Sequence, residues 1–124
     1  MLVLLLYMAF ELHVLVRNKH RTEPLYIHDR YVEARRAVAL CGDPDPQQRA
    51  AFERNLAAVS RRARADLAEQ NPALDEDGVD RALAERAAAV AGTVDALVDE
   101  EGCEATEVWK LVKRHELRAR VNLR

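Results

Sequence analysis

The placement of proline constrains this chain more than any other feature. Pro24, Pro44, Pro46 and Pro72 divide it into stretches, and within each stretch apolar residues recur at steps of three and four. Proline lacks a backbone donor and clashes with the preceding turn, so it is accommodated at a helix start and excluded from a helix interior. The first stretch after Pro24, residues 25–40, aligns Ile27, Tyr31, Ala34 and Val38, with Cys41 next in the series. Residues 47–70 align Phe52, Leu56, Val59, Ala63 and Leu67, and residues 76–101 align Val79, Leu83, Ala87, Val90, Val94 and Leu97. Each series is one face of a helix. Gly102 ends the third, and from Glu104 onward Val108, Leu111 and Val112 turn inward beside Trp109. There is no run of period-two alternation and no Asn-Gly turn between apolar runs, so the chain reads as all-α.

The opening differs from everything after it. Met1 to Phe10 is unbroken apolar sequence, Leu12 and Val14–Val16 extend it to residue 16 around Glu11 and His13, and Arg17, Lys19, His20 and Arg21 stop it. A membrane span needs about 20 apolar residues, and Glu11 and His13 would be costly in lipid. Four helices with one apolar face each also need something to pack on. The expectation is therefore a compact bundle of about five helices, a single domain over residues 1–124. A first helix at about 2–21 forms its buried centre, covered by protein rather than lipid. At 124 residues such a domain buries roughly two thirds of its unfolded surface and needs neither metal nor disulfide to fold. The alternative is a single-pass membrane-anchored subunit with a helical docking part in the cytoplasm.

Cys41 and Cys103 belong to no CxxC pair and have no histidine cluster nearby. The reading is two unpaired, buried thiols in a reducing cytoplasm, with thermal stability indifferent to reductant. The order of the opening residues, apolar first and basic after, does not match a cleaved signal peptide. The four histidines lack the spacing of a metal pair, and the acids of Asp75-Glu76-Asp77-Gly78 fail calcium-loop spacing and suit a helix N-terminus instead. No residue set nominates itself for catalysis or for a cofactor, and a non-enzymatic role is expected.

Charge is distributed unevenly although its sum is only −2. Residues 72–104 carry two basic and ten acidic groups (−8), whereas residues 105–124 carry six basic and two acidic (+4). Arginines outnumber lysines sixteen to three, and Arg54, Arg61 and Arg62, with Arg64 nearby, are read as a flank that could follow a phosphate backbone without reading bases. The competing reading is a solvated face with Glu53, Asp66 and Glu69 as intrahelical partners.

Residues 94–117 have the outline of a helix-turn-helix, with Leu97 and Val98 before a turn at Glu101-Gly102-Cys103 and Val108 and Leu111 after it. This outline is similar to the C-terminal helices of Fis-type DNA-binding domains, and the resemblance covers about a fifth of the chain. It implies a DNA-binding regulator whose recognition helix is followed by a basic end, to which Lys113-Arg114-His115 would correspond. Asp99, Glu100, Glu101, Glu104 and Glu107 surround the turn, however, and would face phosphate in that pose. In size and architecture alone the chain resembles the small helical subunits of CRISPR surveillance complexes. That likeness implies a small subunit beside a nucleic-acid channel, with other subunits of the complex as protein partners; the residues read from the charge pattern as contacting RNA or DNA backbone are Arg54, Arg61, Arg62, Arg64, Lys110, Lys113 and Arg114.

Overall fold

The computed structural model describes residues 23–123, and these form four helices: α1 (Pro24–Cys41), α2 (Pro46–Gln70), α3 (Glu76–Glu101) and α4 (Thr106–Ala119). The class is the expected one and the described helices fall within a residue or two of their expected ends. The segment read as a central first helix, residues 2–21, lies outside the described residues. Among the described residues no helix is long and apolar enough to cross a membrane.

Local chemistry sets the helix ends. Pro24 and Pro46 occupy first-turn positions, where a missing donor costs nothing. Asp45 Oδ1 accepts from the Gln48 amide at 2.8 Å and Asp75 Oδ1 from the Gly78 amide at 2.7 Å, satisfying donors that a helix start leaves free. The acid cluster at Asp75 to Asp77 thus caps α3. At the far end of α3, Gly102 adopts φ +82°, a conformation that L side chains avoid, and its amide closes on the Val98 carbonyl.

Polar contacts between helices fix their directions. Asp29, Arg36 and Cys41 of α1 meet Arg86, Asp95 and Cys103 in the same order, so α1 and α3 run parallel. Gln48 and Asn55 of α2 meet His115 and then Arg118 and Val121 in rising order, so α2 runs parallel to α4. Arg35 to Glu53 and Arg64 to Asp80 join neighbours of opposite direction. The result is an up-down-up-down bundle in which α3 and α4 scarcely touch, while α1 and α2 each pack against all three other helices, α1 the most extensively.

Among the described helices, then, α1 holds the central place. It buries Leu25, His28, Tyr31, Ala34, Ala37 and Val38, a set that spreads well beyond the single stripe its spacing suggested. Two clusters form along it. Tyr31 and Ala34 pack with Phe52, Leu56 and Val59 of α2, and Ala37 packs with Val94 of α3 and Leu111 of α4. Ala34 and Ala37 are fully buried because small side chains let neighbouring helices approach on several sides at once.

The cysteines correct the sequence reading. Cys41 and Cys103 are joined in a disulfide with Cα atoms 5.4 Å apart, and no described cysteine is free. They were read as unpaired because they lie 62 residues apart without a motif. They meet because parallel α1 and α3 end at the same level of the bundle, which places the residue ending α1 beside the turn that follows α3. The argument for a reducing cytoplasm rested on unpaired thiols and loses that support.

Candidate docking face on α4

The inward face of α4 is made by Val108, Leu111 and His115 at steps of three and four. His115 is 2% exposed and stacks on Phe52, with centroids 3.9 Å apart and planes tilted by 17°. Gln48 Nε2 donates to His115 Nδ1 at 2.9 Å, which leaves the proton of the neutral ring on Nε2. Burial pushes the His115 pKa below its usual value, opposed by the charge of Glu53 and reinforced by that of Arg49. At the C-terminal end of α4, one side chain answers two carbonyls: Asn55 Nδ2 donates to the Arg118 carbonyl at 2.8 Å and to the Val121 carbonyl at 2.7 Å. Carbonyls at a helix end have no intrahelical donor, so Asn55 supplies one from α2.

A helix fixed on that side must present its other side to solvent. Trp109, one position round from Val108, is 60% exposed, Leu117 is 51% and Val121 is 41%. Trp109 was expected beside the core, yet it sits about 100° from Val108, outside the arc that Val108, Leu111 and His115 define. Trp109, Lys113 and Leu117 follow one another at steps of four and form a ridge, with Lys110, Arg114 and Arg118 at the same spacing along its flank. A depression of about 460 Å³ lies between these residues and Val121. On the opposite side of Trp109 and Lys113 a second depression of about 310 Å³ reaches Pro44 and Gln48.

The charges of this face are partly spoken for. Lys110 pairs with Glu107 at 3.2 Å and Lys113 with Glu116 at 2.8 Å, both within α4. Arg114 lies 4.0 Å from Glu33 of α1, whose pKa is raised by burial and held back by Arg30 and Arg114. Arg118 lies over the Tyr31 ring, 5.5 Å from its centroid. Counting Lys110, Lys113, Arg114, Arg118 and Arg120 against Glu33, Glu107 and Glu116 leaves a surplus of two positive charges (5 − 3). The two lysine pairs are exposed and contribute about 0–1 kcal/mol each, so an incoming anion can exchange with them.

The arginines of α2 do not form one flank. Arg54 and Arg61, seven residues apart, share the exposed side opposite the core. Arg62 points toward α1, lining a hollow with Pro24, Ile27 and Val59. Arg64 turns the other way and is held by Asp80 of α3 at 2.5 Å. At 100° per residue Arg62 and Arg64 stand about 160° apart, which separates them onto opposite sides of the helix. Lys110, Lys113 and Arg114 do come together, on α4. Comparisons with protein-family models, curated proteins and solved structures give no match, so the reading of these surfaces rests on their own geometry.

Proposed function

We propose that this chain is a non-enzymatic docking subunit of a larger assembly, and that α4 receives an acidic, amphipathic segment of a protein partner. The exposed Trp109 on a fixed helix, with Leu117 two turns on and cations between and beside them, carries the reading. Aromatic and arginine side chains anchor protein interfaces, and an apolar ridge with a net positive flank complements a helix with leucines on one face and carboxylates beside them. A nucleic-acid backbone is the weaker occupant. Of the seven residues expected to hold phosphate, Arg62 and Arg64 lie on opposite sides of α2, and Arg64 is held by Asp80. The acids around the turn before α4 also oppose a helix-turn-helix pose on DNA.

The disulfide supports a place outside the reducing cytoplasm, where such bonds persist. It also favours the membrane-anchored form of this reading over a free cytoplasmic one, with the bundle on the oxidising side. The basic residues 17–21 would by themselves argue for the opposite orientation.

Trp109 is the only tryptophan, so its fluorescence reports this face directly. Titration with a 20-residue amphipathic peptide bearing leucine and glutamate should give a saturable blue shift, lost in Lys113→Glu and absent with the lysine version of the peptide. A shift produced instead by oligothymidylate, falling steeply with salt, would restore the nucleic-acid reading. No shift with either ligand would remove α4 as a docking face.

A further inference from the structure

A cleft of about 510 Å³ opens between α1, α2 and α3, on a different side of the bundle from the Trp109 ridge, and reaches down to His115. Its existence follows from side-chain size. Where α3 crosses α1 it presents Ala87, Ala88 and Ala91, whose methyl groups are too short to fill the space between the helices. Val32 and Ala39 of α1 complete the apolar wall. The volume falls within the range of small-molecule sites, about 300–1,000 Å³.

The charged groups lining this space are three cations and one anion. Arg35 and Arg36 stand on the α1 rim and Arg49 on the α2 rim, with Glu53 as the one lining carboxylate. Arg35 holds Glu53 at 2.9 Å, and Arg36 is held by Asp95 at 2.5 Å from outside the cleft. Arg49 has no such carboxylate among the described residues. At the base, His115 is buried and accepts at Nδ1 from Gln48. A rim with an excess of cations, Arg49 lacking a carboxylate partner among the described residues, and an apolar wall suit an anion with an apolar body and discriminate against a cation.

We propose that this cleft binds a small monocarboxylate with an aliphatic body, its carboxylate on Arg49 and the adjoining rim and its chain against Ala88 and Ala91. The Arg35–Glu53 pair bridges the rim and would be loosened as the ligand carboxylate competes for Arg35. This site does not depend on the α4 docking face.

The test uses sodium octanoate as the probe, with octylammonium and octan-1-ol as controls, and reads the imidazole signals of His115 by NMR. Octanoate should shift those signals saturably below its micelle-forming concentration, with octylammonium and the alcohol at least about tenfold weaker, as expected when a charge-assisted contact is lost. Arg49→Gln should weaken octanoate by about the same factor. Ala88→Leu, which fills the wall from an exposed position, should abolish binding with unchanged circular dichroism. Equal binding of octanoate and octylammonium would overturn the proposal. So would undiminished binding by folded Ala88→Leu or by Arg49→Gln, or the absence of a saturable His115 shift.

Discussion

Replacing Cys41 and Cys103 together by serine removes the one covalent tie between α1 and the turn before α4. The bond closes a loop of 62 residues. In the chain-entropy account such a loop restricts the unfolded state by about 14 cal/mol/K, or about 4 kcal/mol at 25 °C. A domain of this size has a total stability of roughly 5–15 kcal/mol, so the bond is a large share of it. For a domain of about 100 residues each kcal/mol moves the thermal midpoint by roughly 4–8 °C, and a drop of some 15–30 °C follows. Urea unfolding of wild type with and without reductant, beside the double serine variant, measures the effect. Thiol titration of the denatured, unreduced protein checks that the bond was present. The reduced wild type and the serine variant should coincide, both far below the oxidised protein. If titration finds two free thiols, or if the bond is present and its removal leaves the midpoint within a degree or two, the placement of α1 beside the end of α3 is wrong.

Asn55→Leu keeps the volume but withdraws both donors from the Arg118 and Val121 carbonyls; it should cost about 2 kcal/mol in urea unfolding and raise amide exchange at the end of α4 first. Gly102→Ala forces a side chain into a φ of +82° and should cost about 1–3 kcal/mol although no atom lies within 4 Å of the added methyl, so a neutral result would show that the turn relaxes. The lowered pKa of His115 means that the unfolded chain binds the proton more readily. Its contribution is complete above the unfolded value near 6.5 and is lost as pH falls through the folded value, so unfolding free energy should decline on acidification below about 6.5. The raised pKa of Glu33 acts in the opposite sense: its contribution is present at low pH and lost as pH rises through its folded value. His115→Gln should therefore flatten the decline below 6.5 while leaving the acid end unchanged, and an unaltered profile would remove His115 from the account.

The contrast between α2 and α1 shows what spacing could and could not convey. In α2 the stripe Phe52, Leu56, Val59 and Ala63 is buried as its period requires, with Asn55 and Ala58 close beside it. In α1 the same logic found Tyr31, Ala34 and Val38 and passed over Leu25, His28 and Ala37, because the helix with the most extensive contacts buries residues over a wider arc than one period marks. Reading the later helices as one-sided implied that something central was needed, and the opening segment read for that place lies outside the described residues. Among the described helices, alanines and a histidine let α1 pack on several sides. Trp109 was legible in principle, since it lies 100° from Val108 on a helix whose inward arc is already set by Leu111 and His115. The cysteine pair was not legible. Its two members are joined by the direction in which whole helices run, and direction is fixed by cross-bundle contacts such as Asp29 with Arg86 and Asn55 with the end of α4, in which a polar residue meets a partner dozens of positions away. The cleft on the far side has the same origin: three alanines at helical spacing look like ordinary helix formers until the neighbouring helix is placed opposite them, and only then do they become a wall with room beside it.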